Sequence, residues 1–130
     1  NENGIFVPGP WFGGFQKADS QAMVKEYIAK YGGTASDVNA DVAEAYAVGQ
    51  VVAQAAQATH SIDNAKIIAY LHGGATLDSV IGPVKFDALG ENTAGKTLGF
   101  QWQKGSLVQT LPAGTPGVHP PVYPKPVWKG

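Results

Sequence analysis

The feature that most constrains the fold of this chain is a change in the spacing of its apolar residues near residue 75. Before this point apolar residues recur with the period of a helix, and after it they alternate with the period of a strand. Both periods occur within 130 residues, a length that normally makes one domain and can bury a core. We therefore expect an α/β structure in which three helices are followed by strands and a β-hairpin.

Each of the three predicted helices has a start signal or a stop signal. The first begins at the N-cap Ser20 and ends at Gly32-Gly33, because Ser caps helices and Gly ends them. The second covers residues 40–59, and the third runs from its cap Ser61 to Leu71. The side chains expected to face inward are Met23, Tyr27, Ile28 and Tyr31 in the first helix, Val42, Tyr46, Gly49, Val52, Ala53 and Ala56 in the second, and Ile67, Ile68 and Leu71 in the third.

Extended structure is predicted on both sides of these helices. Residues 4–7 lead into a loop rich in Pro and Gly that contains Trp11-Phe12. Residues 76–81 and 83–87 are expected to be extended, with Val84 and Phe86 on one face. Residues 97–103 and 106–111 should pair as a hairpin around Lys104-Gly105. Residues 112–130 contain six of the nine prolines, so we expect this tail to run extended over a surface.

The composition argues against nucleic acid as a partner and against thiol chemistry. The formal net charge is -1, and all nine basic residues are Lys, so the chain lacks the Arg fork that grips phosphate. Cysteine is absent, so neither a disulfide nor a thiol is available. The first ten residues do not resemble a signal peptide, and the apolar runs are too short to cross a bilayer.

The sequence contains no motif of a metal site, a cofactor site or a catalytic site. His60, His72 and His119 have no His or Cys neighbour at the spacing of metal ligands, and we expect the first two to lie at helix ends. Asp41 and Glu44 are three residues apart on one helical face, where two carboxylates could act as acid and base. Acidic residues are also favoured in the first turn of a helix by its dipole. We expect no cofactor, no metal and no enzymatic activity.

Several motifs follow one another in an order that resembles a known family. They are Gly4-Ile5-Phe6-Val7, Ala40-Asp41-Val42-Ala43-Glu44-Ala45-Tyr46-Ala47-Val48, Ser61-Ile62-Asp63, Gly82-Pro83-Val84-Lys85-Phe86-Asp87, Gln101-Trp102-Gln103-Lys104-Gly105 and Val122-Tyr123-Pro124-Lys125-Pro126-Val127-Trp128. In this order they resemble the C-terminal portion of the type I periplasmic solute-binding proteins, in the branch that binds Leu, Ile and Val.

The resemblance implies a fold and a domain organisation. Residues 1–111 would be the C-terminal part of a two-lobed α/β fold and would contribute to both lobes. Hinge crossovers would lie near residues 6–12 and 95–99, and residues 112–130 would form the Pro-rich tail. A small solute is trapped between the two lobes in such proteins.

The resemblance also implies a function and a set of partners. The chain would serve as the extracellular or periplasmic substrate-binding component of a bacterial ABC importer, located in the periplasm or at the cell surface. It would capture a small solute such as an amino acid or a related small organic acid or amide. Its partners would be this solute, an ABC permease in the membrane, and the remainder of the parent chain or a second copy in a swapped dimer.

The resemblance places the ligand-binding residues at the start of the long helix and in a crossover loop. The residues at these positions are Asn39, Ala40, Asp41 and Trp11. Asp41 would pair with an ammonium group of the solute through a charge-assisted hydrogen bond. Two alternatives stay open: a ligand-sensing or interaction domain of the same fold without a transport role, and a small hydrolase that uses Asp41 and Glu44.

Overall fold

The computed structural model describes residues 2–127, and these residues form helices and one sheet. The helices are α1 (Ala18–Tyr31), α2 (Ala40–Thr59) and α3 (Asn64–His72), with a short 3-10 turn at Ala35–Asp37. The strands β1 (Phe6–Gly9), β2 (Leu98–Gln103) and β3 (Ser106–Leu111) form an antiparallel sheet in the order β1-β2-β3. The predicted α/β class, with three helices before a hairpin, is confirmed.

The chain divides into two compact units. The helical unit is Trp11–Lys96, and the sheet unit comprises the residues up to Pro10 together with those from Thr97 onward. The sheet unit therefore contains β1, β2, β3 and the Pro-rich tail. Within the described part of the chain, no helix has the length and apolar character needed to span a membrane.

The predicted hairpin is confirmed in the sheet unit. Strands β2 and β3 pair with Gln103 opposite Ser106, so Lys104 and Gly105 form a two-residue turn. Their φ angles are 52° and 80°, which is the left-handed geometry that two-residue hairpins favour. Phe100 of β2 is only 2% exposed and is the largest fully buried side chain of the described residues.

Helix α1 begins three residues earlier than the sequence predicts. Its N-cap is Lys17, which makes no side-chain capping bond. The prediction of Ser20 as the cap is wrong because its buried hydroxyl accepts a hydrogen bond from the indole Nε1 of Trp11 at 2.7 Å. The predicted end at Gly32 is confirmed, with φ of 80° at this residue. Tyr31 is 64% exposed, so the predicted inward face is only partly buried.

Helix α2 has the predicted bounds but a different inward face. Its buried residues are Ala43, Ala47, Val51 and Ala55. The prediction that Tyr46 and Val52 face inward is wrong, because both side chains are exposed. The helix is apolar around most of its circumference, so the spacing of its residues fits more than one face.

Hydrogen bonds from two glutamines of α2 fix the rotation of this helix. Gln50 Oε1 accepts from the backbone N–H of Val80 at 2.8 Å, and Gln54 Nε2 donates to the carbonyl of Asp78 at 2.8 Å. These bonds turn the Ala-rich side of α2 toward the core, where Val80 is fully buried.

Helix α3 starts three residues after its predicted cap. Asp63 is the N-cap, and its carboxylate accepts from the backbone N–H of Lys66 at 3.1 Å. The hydroxyl of Ser61 instead accepts from the N–H of Asp63, so it supports the cap without being the cap. No residue of α3 is buried, and the prediction that Ile68 faces inward is wrong because it is 54% exposed.

Residues 76–87 form a compact turn in place of the two expected strands. The segment contains an isolated bridge between Leu77 and Val84 and a turn in which Ser79 and Gly82 exchange backbone hydrogen bonds. The hydroxyl of Ser79 also donates to the carbonyl of Gly82 at 2.7 Å. Val84 is buried and Phe86 is half-buried, which confirms the face predicted for them.

Candidate functional site

The start of helix α2 holds three of the four residues that the sequence predicts for ligand binding. Asn39 is the N-cap, and its side-chain oxygen accepts from the backbone N–H of Val42 at 3.1 Å. Ala40 is the first helical residue and is half-buried, whereas Asn39 and Asp41 are exposed. The amide nitrogen of Asn39 has no hydrogen-bond partner among residues 2–127. A donor and a carboxylate are thus presented to solvent at a helix N-terminus.

The fourth predicted residue, Trp11, lies in the hydrophobic core. Its side chain is 3% exposed and belongs to a hydrophobic cluster that includes Val38, directly before Asn39, and Ala43, two residues after Asp41. The other buried members of this cluster are Met23, Val24, Ala47 and Val80. Trp11 therefore shares its core with residues on both sides of positions 39–41, while contact between Trp11 and a solute stays a prediction.

A capping box precedes the site and holds the chain that enters α2. The carboxylate of Asp37 accepts from the backbone N–H of Thr34 at 2.7 Å and from its hydroxyl at 2.8 Å. These two hydrogen bonds, the backbone bond first, lower the pKa of Asp37 below its ordinary value. Because Val38 follows directly, the box fixes where the buried Val38 and the N-cap Asn39 lie.

Close packing between two loops also supports the site. A Cβ added to Gly13 would lie 2.1 Å from the carbonyl oxygen of Ala35, so only glycine fits at this position. This contact joins the Trp11 loop to the 3-10 turn that leads into Asn39. Sequence reasoning assigned Gly13 to a loop but missed this contact, since spacing alone does not reveal which backbones approach each other.

An ion-pair cluster around Lys17 was also not predicted from the sequence. Lys17 Nζ lies 2.6 Å from an Asp19 oxygen and 2.9 Å from an Asp78 oxygen. Burial lowers the pKa of Lys17, but the hydrogen bonds and charges of Asp19 and Asp78 outweigh it and raise the pKa above its ordinary value. The cluster joins the start of α1 to the turn against which α2 packs, at positions 61 residues apart in sequence.

The carboxylates of Asp41 and Glu44 do not form a buried pair. Both side chains are exposed on the first turns of α2. The structure places neither of them in a water-excluded pocket of the kind that tunes an acid and a base to different protonation states. Their placement matches the favourable position of acidic residues at a helix N-terminus.

A shallow groove lies beside the candidate site, between α1 and the first half of α2. Its volume is about 340 Å³, and it begins at Val42, one residue after Asp41. Its other lining residues are Met23, Glu26, Tyr27, Lys30, Tyr31 and Tyr46. The rings of Tyr27 and Tyr31 lie 4.7 Å apart, and Lys30 Nζ lies 5.2 Å from the Tyr31 ring centre. The walls are therefore mainly aromatic and apolar, with one charge of each sign.

Comparison with known proteins identifies the family to which this chain belongs. Residues 2–106 match the periplasmic binding protein family, and the chain belongs to this family. The family comprises solute-binding proteins and not enzymes, in agreement with the interpretation of Asp41 and Glu44 as helix-start residues. No curated protein matches the sequence.

Two solved structures are similar to this chain in fold. The leucine-binding protein LivK of Thermotoga maritima has a TM-score of 0.67 and 18% identity, over 83% of this chain and 30% of that protein. A solute-binding protein of an ABC transporter from R. palustris, solved in complex with benzoate, has a TM-score of 0.65 and 19% identity, over 83% of this chain and 29% of that protein. This chain thus spans less than a third of the length of either protein, and the predicted partial fold is confirmed.

Proposed function

We propose that this chain is part of the substrate-binding component of a bacterial ABC importer, in the periplasm or at the cell surface. The solute would be small, such as an amino acid or a related small organic acid or amide. One observation carries the proposal: in a chain of the periplasmic binding protein family, the start of α2 presents an exposed carboxylate, Asp41, beside the exposed amide of Asn39. Permease contact and transport are proposed on the same basis.

The chemistry of this helix start favours a solute with an ammonium group. Asp41 would accept a charge-assisted hydrogen bond from the ammonium, and the amide nitrogen of Asn39 would donate to an oxygen of the solute. Ala40 adds no polar group and leaves room between them. One neighbour is named a leucine-binding protein and the other was solved in complex with benzoate, and of these two molecules only leucine carries an ammonium. A carboxylate at residue 41 would repel a solute whose only charge is negative, so we expect amino acids to bind more tightly than benzoate.

Trp11 would support this site. Because Trp11 is buried in one hydrophobic cluster with Val38 and Ala43, it would help to hold the helix start in place. Such support matters because a binding group must be held within fractions of an ångström to keep its affinity. We retain Trp11 in the proposed site in this positioning role, together with the predicted solute contact.

The proposed crossovers near residues 6–12 and 95–99 are supported by the division of the chain. The two compact units separate between Pro10 and Trp11 and between Lys96 and Thr97, within or next to these ranges. We propose that both segments link two lobes of the binding protein. Residues 112–130 remain a proposed separate tail, of which positions 128–130 lie outside the described residues.

We also propose that the exposed apolar side of α2 meets another part of the parent chain or a second copy. Val48 is 63% exposed and Val52 is 45% exposed, on a helix whose Gly49 has open space beside it. Exposed apolar side chains on one helix side favour burial against a partner surface. A swapped dimer is one form that this burial would take.

The test is the substitution Asp41→Asn in the full-length protein, with Glu44→Gln as a matched control. Both changes remove one exposed carboxylate from the first turns of α2. We expect Asp41→Asn to weaken amino-acid binding by about tenfold or more, since hydrogen bonds to charged groups contribute roughly 1.5–3 kcal/mol. Glu44→Gln should leave affinity nearly unchanged. Isothermal titration with a panel of amino acids, amides and organic acids including benzoate measures both.

Equal effects of the two substitutions would contradict the site, and a measurable turnover would contradict the binding function. Binding without transport, in a protein that associates with no permease, would favour the alternative of a sensor domain. Light scattering of the same samples shows whether a second copy takes part.

A further inference from the structure

Strand β1 has little intrinsic support in the sheet. It is a four-residue edge strand that pairs only with β2. Its third residue, Pro8, has no N–H to donate, and its fourth, Gly9, loses more backbone entropy on ordering than any other residue type. A strand of this kind needs stabilisation beyond its own ladder.

The side chain of Gln101 supplies a second set of hydrogen bonds on one face of this sheet. It lies on β2 opposite Phe6 and is 0% exposed. Its Oε1 accepts from the backbone N–H of Val122 at 2.8 Å, and its Nε2 donates to the carbonyl of Val122 at 3.1 Å. A side-chain amide thus pairs with both backbone groups of one residue, as a neighbouring strand would. Its Nε2 also lies 3.4 Å from the carbonyl of Gly4, just before β1.

Further contacts attach the residues around Val122 to the sheet. We call this segment, residues 118–127, the strap. Gln103 Nε2 donates to the carbonyl of Pro120 at 3.0 Å, and the N–H of His119 donates to the carbonyl of Gln109 at 2.8 Å. The strap therefore contacts both strands of the hairpin at positions on either side of Gln101.

The strap also contacts β1 and the turn before it. The ring of Tyr123 stacks on Phe6, with centroids 5.5 Å apart and planes at 27°. A Cβ on Gly4 would lie 2.6 Å from Lys125 Cγ and 2.9 Å from Pro126 Cδ, so the strap packs directly on the Gly4 backbone. Gly4 itself donates to the carbonyl of Trp102 at 2.7 Å, which extends the pairing of β1 with β2.

We propose that Gln101 is a positioning residue that holds the strap on the sheet, and that the strap in turn holds β1 in the sheet. The side-chain amide of Gln101 binds the extended backbone of the strap at Val122, and the ring of Phe6 stacks on Tyr123 of the strap. The consequence for solute binding rests on the proposed function, because β1 leads at Pro10 into the chain that carries Asn39 and Asp41. Release of the strap would leave this link less ordered and would weaken solute binding.

The test compares Gln101→Met with Gln109→Met by amide hydrogen exchange, read residue by residue by NMR without any solute. Both substitutions replace a buried strand glutamine by an apolar side chain of similar length, but within residues 2–127 the side-chain amide of Gln109 bonds only to Leu111, in its own strand. We expect Gln101→Met to speed exchange about tenfold or more at Val122, which loses its acceptor, and at Gly4, which loses both the strap and the contact of its carbonyl with the Gln101 amide. Gln109→Met should leave both rates unchanged.

The proposal is overturned if exchange at Gly4 stays slow in Gln101→Met while Val122 exchanges faster, or if neither rate changes. If Gln101→Met does not fold, Tyr123→Leu gives the same answer from an exposed position, with a severalfold effect expected at the same two amides. Solute affinity of the full-length protein is measured separately. Faster exchange with unchanged affinity would reject the link to solute binding and leave the strap in place, whereas absence of any solute binding in the unaltered protein would reject only the proposed function.

Discussion

The helical unit and the sheet unit have different kinds of interior. The helical unit buries mainly apolar side chains, and Trp11 belongs to a cluster contributed by loops and two helices. In the sheet unit, polar Gln101, Gln109 and Thr110 are buried beside Leu98 and Phe100. Apolar packing tolerates many partners, whereas a buried amide needs a donor and an acceptor at fixed places. The sheet unit therefore depends on particular backbone partners, which its strap and strands provide.

The buried polar groups of the sheet unit are satisfied in pairs. Thr110 Oγ1 donates to the carbonyl of Gly99 at 3.2 Å, and Gln109 Nε2 donates to the carbonyl of Leu111 at 3.0 Å. Among the described residues, no buried side-chain nitrogen or oxygen lacks a hydrogen-bond partner. The comparison teaches that stability in one unit comes from area removed from water, and in the other from the geometry of turns and hydrogen bonds.

The largest expected effect is that of Trp11→Ala in the helical unit. Loss of this buried ring, and of the partner of Ser20, should lower the free energy of unfolding by about 3–5 kcal/mol. Tyr31→Ala is the control, because its ring is 64% exposed in the same unit and should cost less than about 1 kcal/mol. Urea unfolding followed by circular dichroism measures both, and similar values for the two variants would remove the distinction between core and surface rings.

A smaller effect is expected for Gly105→Ala in the sheet unit. Residue 105 has φ of 80° and open space beside it, so the cost is backbone strain alone, about 1–2 kcal/mol. Gly49→Ala is the matched control: it also has open space, but it lies in the middle of α2, where Ala should stabilise by about 0.5–1 kcal/mol. Urea unfolding should therefore show opposite signs for the same substitution. If both substitutions changed the free energy of unfolding in the same direction, the left-handed geometry of residue 105 would not limit the stability of the sheet unit.

The smallest effect is expected for Asp37→Asn, and it depends on pH. The hydrogen bonds from Thr34 lower the pKa of Asp37 below the ordinary value of 3.8. A carboxyl whose pKa is lowered by folding contributes stability above its unfolded pKa, and this is lost as the pH falls through its folded pKa. The stability difference between the unaltered chain and Asp37→Asn should therefore be larger at pH 7 than in strong acid.

Urea titrations at neutral pH and in strong acid measure this difference. Glu26→Gln removes an exposed carboxylate of α1 and serves as the control for the loss of one carboxylate. A difference for Asp37→Asn that stays constant from neutral pH to strong acid would contradict a role for the charge in the capping box.

Much of the local structure was predictable because its signals are carried by neighbouring residues. The bounds of α2 follow from the N-cap Asn39 and the helical run after it, and the hairpin follows from Lys104-Gly105 between alternating strands. The start of a helix was less predictable where one side chain could serve either as the cap or as a buried hydrogen-bond partner. Ser20 suits a cap by type, but it serves Trp11.

The candidate site was predictable in part. Its position at residues 39–41 followed from the resemblance, and the structure adds that Asn39 is a cap and that Asp41 is exposed. The burial of Trp11 could not be predicted, because nothing in a Pro/Gly-rich loop specifies which surface its ring covers. The capping box at Thr34 and Asp37 was visible as a spacing of three residues, yet no structure was predicted for the segment between the first two helices.

The sequence by itself determined the α/β class, the order of helices and hairpin, and the family to which the chain belongs, since these depend on local spacing and on ordered motifs. Only the tertiary structure decided which side of α2 is buried, that residues 76–87 form a turn, and that Gln101 pairs with Val122. The physical reason is that these features depend on contacts between residues far apart in the chain. An apolar helix offers several sides of similar hydrophobicity, and a buried amide takes whichever backbone partner the fold brings within hydrogen-bond distance.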